Sequence, residues 1–267
     1  MIQDLKTALP KGKVLPILRQ HRDRIQLCNL ANHLHQPPER SPPRPARPAG
    51  DLRFRNSPAL PPRLLIFDFD GTLADSWPWF LTTLDEVAAR FGIRRVSSVE
   101  AEALRGQDSR AVMRALGVPM WRVPAIAAFL KRAAAEAPAP ALFPGIPDML
   151  RRLRAAGATL AVASSNTEAQ VRRAVGPELA ALVAHMAVEA SLFGKAARFR
   201  RILRAASVAP EHAMAIGDEV RDIEAAREAG ISAGAVAWGY AWPSLLESRS
   251  PDMLFSSPED VARYCGA

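Results

Sequence analysis

Asp68 and Asp70 stand one residue apart in the stretch Asp68-Phe69-Asp70-Gly71-Thr72-Leu73-Ala74-Asp75, directly after the apolar run Leu64-Leu65-Ile66-Phe67. Two carboxylates held that close are costly unless a cation or a proton compensates them. The apolar run shows no alternation, as expected of a strand buried on both faces in a parallel sheet. Its end puts both acids where the chain turns at Gly71. In open α/β sheets, ligands bind in the crevice outside the carboxyl ends of the strands. Asp-x-Asp-Gly also suits an ordinary turn, because Asp and Gly favour turns for backbone reasons. The rest of the chain has to decide between the two.

Three further segments follow in order. Leu160-Ala161-Val162-Ala163 is a second apolar run, ending in Ser164-Ser165-Asn166. Lys195 precedes a helical stretch, Ala196 to Ala206. Ala213-Met214-Ala215-Ile216 is another short apolar run, ending in Gly217-Asp218-Glu219-Val220-Arg221-Asp222. An acidic pair, a hydroxyl, a lysine and a second acidic pair, in that order, form the pattern of the haloacid-dehalogenase-like superfamily. From about Arg63 to Ala267 the chain resembles the phosphoglycolate-phosphatase-like branch of that superfamily.

Asp68, Asp70, Asp218 and Asp222 would gather up to four negative charges in one pocket before any substrate arrives. Mg²⁺ with oxygen ligands, several of them water, is the expected compensation. The resemblance implies that Asp68, the backbone carbonyl of Asp70 and Asp218 bind it, with Asp222 holding a metal-bound water. Glu219 could stand in for Asp222 or point to solvent. A carboxylate nucleophile splits phosphate-ester hydrolysis into two displacements through an aspartyl phosphate. With Asp68 as attacker, the resemblance makes Asp70 the acid that protonates the leaving oxygen and the base that then takes a proton from water. Superfamily members that cleave carbon–halogen or carbon–phosphorus bonds lack this second acid, so Asp70 implies phosphoryl–oxygen chemistry. It does not separate a phosphatase from a phosphomutase.

Ser164 can donate to a phosphoryl oxygen, and free backbone N–H groups along Gly71-Thr72 and Ser165-Asn166 can add to it. Taken alone, Ser164 is equally well an ordinary helix cap. Lys195 can neutralise both Asp68 and the transferring group. The family often has Lys-Pro where this chain has Lys195-Ala196. Arg105 lies in a polar break, Arg105-Gly106-Gln107-Asp108, and could meet a substrate carboxylate bidentately; the alternative is a solvated inter-helix loop.

These residues need a frame. Phe80, Leu84, Val87 and Phe91 recur on one face of a helix that stops at Gly92. Ser97 with Glu100 reads as a capping box for a second helix ending near Arg105-Gly106. Ser109–Leu116 and Val123–Ala137 read as a third and a fourth. Residues 76–143 are thus helical, with no strand signal, and interrupt a β-α alternation. In the family this is the place of a four-helix cap, hinged around Asp75 and Phe143. The α/β core is then 63–75 and 144–267. In it, Pro147 opens a helix to Ala156, followed by a strand Ala158–Ser164, a helix from Thr167 and Gln170 to Val175, and a strand within Leu182–Val188. Asp222–Ala229 is a helix closed by Gly230, and Ala233–Trp238 is the final strong strand. The expected fold is a doubly wound, Rossmann-like parallel α/β sheet with an inserted four-helix cap. Trp238-Gly239-Tyr240 reads as structural, and Trp77, Trp79 and Trp121 read as cap core or pocket lining.

The chain has 267 residues and a formal net charge of +8, which suggests a nucleic-acid partner until it is divided. Residues 1–62 hold 11 of the 35 basic and 4 of the 27 acidic residues, so the remainder, with 24 and 23, is nearly neutral. The same segment holds 11 of the 23 prolines and reads as a disordered extension with a short helix around Val14–Leu30. A basic arm of this kind could bind nucleic acid. Phe54 is its one aromatic residue, which gives base stacking little support, so a solvated tail or a start codon placed too far upstream is the favoured reading. Cys28 and Cys265 stand near opposite ends, which argues against a disulfide framework. With no membrane-length apolar stretch and no signal-peptide pattern, the expected setting is the cytoplasm. The expected partner is a small phosphorylated metabolite, with no membrane, nucleic acid disfavoured and the oligomeric state open. The expectation is a Mg²⁺-dependent phosphatase; a phosphomutase, a nucleic-acid-binding phosphatase fold and a catalytically silent fold are the alternatives.

Overall fold

The computed structural model describes residues 61–188 and 194–267. The expectations placed on residues 1–60, the Val14–Leu30 helix included, lie outside the described residues. The described residues belong to one compact unit, Leu52–Ala267.

β1 (Leu64–Phe67) lies inside a sheet of six strands. Parallel β4 (Thr159–Ala163) and β6 (Ala213–Gly217) flank it. β5 (Val183–Ala187) lies outside β4, while β7 (Ser232–Val236) and β8 (Met253–Phe255) lie outside β6. Every pairing is parallel. The chain leaves β1 to one side for β4 and β5, then crosses to the other side for β6. This switch point opens a crevice at the carboxyl ends of β1, β4 and β6, where this architecture binds ligands.

Successive β1 residues serve two cores, which is why the run shows no alternation. Leu64 and Ile66 join Phe199, Ile202 and Leu203 of α7 (Gly194–Ala206) and Ile223 and Ala226 of α8 (Val220–Ala229). The strands offer alanines on that face: Ala161, Ala163, Ala213, Ala215, Ala233 and Ala235. Small strand residues let large helical side chains pack down on the sheet. Leu65 and Phe67 join the opposite core, with Leu150 and Leu153 of α5 (Ile146–Ala155), Val171 and Val175 of α6 (Glu168–Leu182) and Val261 of α10 (Pro258–Tyr264).

Between β2 (Ala74–Asp75) and its antiparallel partner β3 (Ala141–Leu142) the chain makes four helices: α1 (Trp77–Phe91), α2 (Ser98–Leu104), α3 (Ser109–Ala115) and α4 (Val123–Glu136). The Ser97–Glu100 capping box is present, with Ser97 Oγ accepting from Glu100 N–H at 3.2 Å and Glu100 accepting from Ser97 N–H at 2.9 Å. Ser97→Ala should cost about 1 kcal/mol, as loss of such a cap usually does. In a unit of this size that lowers Tm by about 2–4 °C in a thermal melt. An unchanged Tm would mean that α2 does not depend on its cap.

Three features depart from the sequence expectations. β3 lies inside 76–143, where no strand signal was read, because two residues carry no periodicity. The helix from Thr167 ends at Val175 as expected, with Gly176 at φ 76° and Pro177 after it, but a further helical segment runs on to Leu182. α9 (Pro243–Ser248), β8 and α10 follow the last strand read from sequence, and β8, at three residues on the sheet edge, is too short to show a pattern.

Candidate active site

The Asp68 N–H donates to the Ile216 carbonyl at 2.8 Å, so β1 stays paired up to Asp68. The chain then turns tightly, with Leu73 and Ala74 N–H both donating to the Phe69 carbonyl at 2.9 Å and Gly71 N–H to Ala74 at 2.9 Å. Gly71 has φ 73°, and a Cβ there would lie 2.2 Å from Asp218 Oδ2. Both conformation and space therefore call for glycine. The turn and the end of β6 are in contact, although 146 residues separate Thr72 from Asp218.

Asp218 is fully buried and held on both oxygens: Thr72 Oγ1 donates to Oδ1 at 3.0 Å and Tyr240 N–H to Oδ2 at 2.8 Å. Asp222, in the first turn of α8, accepts from Glu219 N–H at 3.0 Å. A Cβ at Gly217 would lie 2.3 Å from Asp222 Oδ2, so a glycine there leaves room for this carboxylate. Lys195, in the first turn of α7, donates to Asp68 Oδ2 at 2.7 Å and also to Asp222.

Asp68, Asp218 and Asp222 each offer a carboxylate oxygen, and these oxygens lie within 4.8 Å of one another. Three buried acids face one lysine and Arg221, and Arg221 is itself paired with Glu219. Burial raises the Asp68 carboxyl to about 6 although Lys195 pulls it down. Burial and the neighbouring Glu219, Asp222 and Asp68 raise Asp218 well above the ordinary range. Asp222 goes the other way: burial opposes its charge, but Lys195 and Arg221 outweigh it. The cluster is thus short of positive charge, and its donors are all oxygen. That set fits a hard divalent cation such as Mg²⁺.

Asp70 points into the same crevice. Ser76 Oγ donates to its Oδ1 at 2.6 Å and Asn166 Nδ2 to its Oδ2 at 2.8 Å. Burial raises its pKa, with the Ser76 hydrogen bond acting against the rise. Ser164 is buried at the end of β4, and its Oγ accepts from Asn166 N–H at 3.1 Å.

Several residues expected to meet substrate are otherwise engaged. Thr72 gives its hydroxyl to Asp218, and its N–H faces the Phe69 carbonyl at 3.3 Å. The Gly71 N–H is taken by Ala74, and Asn166 spends its backbone N–H on Ser164 and its amide on Asp70. Ser165 is exposed. Arg105 was expected to reach for a carboxylate; its guanidinium instead meets the carbonyls of Tyr240 (2.7 Å) and Gly239 (2.9 Å) and the Glu102 carboxylate (2.7 Å). Glu219 neither points to solvent nor joins the three clustered acids: Ser109 Oγ meets it at 2.5 Å and Arg221 at 2.6 Å. Sequence reasoning passed over Ser76 and read Tyr240, within Trp238-Gly239-Tyr240, as structural only. Ser76 carries a weak signal, as a hydroxyl before a helix; Tyr240 carries none for its link to the acids.

A family model described as haloacid dehalogenase-like hydrolase matches residues 65–236. The chain is 31% identical over 199 residues to the phosphoglycolate phosphatase of Synechococcus elongatus, covering 74% of this chain and 94% of that one. It is 29% identical over 207 residues to a protein of Mycobacterium tuberculosis named tyrosine-protein kinase PtkA, covering 76% of this chain and 71% of the other. Among solved structures, CbbY from Rhodobacter sphaeroides in complex with phosphate aligns at TM-score 0.56 and 25% identity, over 75% of this chain and 96% of that one. A haloacid dehalogenase-like family hydrolase from Streptococcus pneumoniae aligns at TM-score 0.63 and 22% identity, over 76% and 97%.

Proposed function

The chain belongs to the haloacid dehalogenase-like hydrolase family, and from that premise we propose that it is a Mg²⁺-dependent phosphatase acting on a small phosphomonoester. The observation that carries this reading is the convergence of Asp68, Asp218, Asp222 and Lys195, with Asp70 held apart on its own hydrogen bonds. Asp68 attacks phosphorus and becomes the aspartyl phosphate, while the ester oxygen leaves with a proton from Asp70. Asp70 then takes a proton from the water that attacks the aspartyl phosphate, and Asp68 is restored. Lys195 sits against Asp68 and offsets negative charge on the transferring group. Ser164 lies at the neighbouring strand end, where its hydroxyl can turn to a phosphoryl oxygen.

Asp68, Asp218 and the backbone carbonyl of Asp70 would hold Mg²⁺, with Asp222 beside them, and the ion would supply charge neutralisation at the phosphoryl oxygens. The insertion at 76–143 serves as a cap that carries the leaving-group side of the pocket. A phosphoglycolate-like substrate is supported by the phosphoglycolate phosphatase relative, and a phosphoryl site by the relative solved with phosphate. No helix among the described residues is long and apolar enough to cross a membrane.

Purified protein should release inorganic phosphate from 2-phosphoglycolate or another member of a panel of small phosphomonoesters. EDTA should abolish the release and excess Mg²⁺ restore it. Release that survives EDTA would remove the metal from the reading. A sugar phosphate isomerised without free phosphate would make the protein a phosphomutase, and phosphate passed to a protein tyrosine would make it a transferase.

A further inference from the structure

Tyr240 occupies a position that the reaction scheme does not use. Its N–H donates to Asp218 Oδ2 at 2.8 Å. Its hydroxyl meets Ser76 Oγ at 2.5 Å, and Ser76 in turn donates to Asp70 at 2.6 Å. Its carbonyl accepts from Arg105 Nε at 2.7 Å. One residue thus touches a clustered acid, the hydrogen-bond chain to the second acid and the turn between α2 and α3. Each link is long-range, with the partners 22, 164 and 135 positions apart in the chain.

The turn is docked by more than one bond. Arg105 Nη2 donates to the Gly239 carbonyl at 2.9 Å, and the Arg105 carbonyl accepts from Trp242 N–H at 3.0 Å. The Trp77 ring packs against both Arg105 (5.6 Å) and the Tyr240 ring (5.3 Å). Gly239 presses on Asp218 so closely that a Cβ would lie 2.1 Å from the Asp218 Cβ. Further along, Ser109 reaches Glu219, the residue after Asp218.

We propose that Arg105 and Tyr240 are positioning residues through which the docked insertion sets Asp218 and Asp70. Neither touches the reacting atoms. Arg105 fixes the two carbonyls of the Gly239-Tyr240 peptides with one planar fork, which a lysine ammonium cannot reproduce. That fixes the N–H aimed at Asp218. The Tyr240 hydroxyl separately orders Ser76, and so Asp70. Coupling of this kind is reciprocal: if docking of the insertion favours the metal, the metal favours docking.

This inference rests on the phosphatase reading, and its test keeps the two apart. Mg²⁺ is titrated calorimetrically, without substrate, into wild type, Arg105→Ala, Arg105→Lys and Tyr240→Phe. Arg105→Ala should weaken Mg²⁺ binding about tenfold, in the range that loss of a group supporting a metal ligand produces. Arg105→Lys should recover part of it, and it also serves if the alanine variant does not fold. Tyr240→Phe keeps the backbone N–H, so Mg²⁺ binding should stay as in wild type while kcat falls and KM does not. Tryptophan emission should respond to Mg²⁺ in wild type, and the part of that response removed by Trp77→Phe should also be lost in Arg105→Ala. Arg105 variants that bind Mg²⁺ like wild type and only raise KM would overturn the inference, leaving Arg105 a substrate contact. A wild type that binds Mg²⁺ and turns over, beside unaffected variants, sinks this inference alone; a wild type that does neither sinks the phosphatase reading with it.

Discussion

Asp68→Asn should stop phosphate release while leaving the fold in place. The amide matches the carboxylate in shape and cannot attack phosphorus. Lys195 keeps Asp222 as a partner, so the lysine is not left bare. Loss of a nucleophile or of the group that assists it typically removes roughly four to six orders of magnitude in kcat. Stability should not fall in parallel. Burial holds the Asp68 carboxyl up at about 6, so near neutral pH its charge is kept against the preference of its surroundings. In the presence of chelator the variant should therefore melt no lower than wild type. Single-turnover phosphate release and a thermal melt decide the matter together. Undiminished turnover in a folded variant would assign the attack to another group.

Asp68 and Asp218 were legible because each ends a short apolar run, and such runs become parallel strands whose carboxyl ends share one crevice; Asp222, one helical turn on from Asp218, came with the resemblance. The helix end at Val175 and the helix start at the Ser97–Glu100 box were legible because both are local. What stayed hidden depends on pairs distant in the chain. Thr72 looks like a residue in reach of substrate until its hydroxyl is seen on Asp218. Arg105 looks like a free cation until two carbonyls from the far end of the chain claim its fork. Tyr240 reads from sequence as structural, at the end of the last strong strand, and nothing local shows its links to Asp218 and Ser76. Propensity and spacing report on neighbours in the chain, whereas the Thr72–Asp218, Ser76–Tyr240 and Arg105–Tyr240 contacts in the layer around the acids each span more than a hundred residues.

Gly239 is where that hidden layer is least able to yield. Its φ is not positive, so alanine would suit the backbone, and the obstacle is space alone. A Cβ would lie 2.1 Å from the Asp218 Cβ and 2.4 Å from the Gly71 carbonyl oxygen. Gly71 cannot retreat, because it is itself wedged against Asp218 in a left-handed turn. Asp218 is pinned by Thr72 and Tyr240. The segment from Trp238 to Tyr240 must therefore lift, and it would take with it the Tyr240–Asp218 bond and the 3.0 Å bond from Trp238 Nε1 to the Thr72 carbonyl. Overpacking of this kind costs about 1–3 kcal/mol. Displacing the support of Asp218 should also weaken Mg²⁺ binding and activity by about ten- to a hundredfold. Gly117→Ala is the matched control: it forces alanine into φ 68° with nothing within 4 Å, so it should lower Tm and leave kcat/KM alone. If Gly239→Ala kept wild-type Mg²⁺ affinity and kcat/KM, the placement of Asp218 would not depend on this loop, and the link from the helical insertion to the acids would have no path.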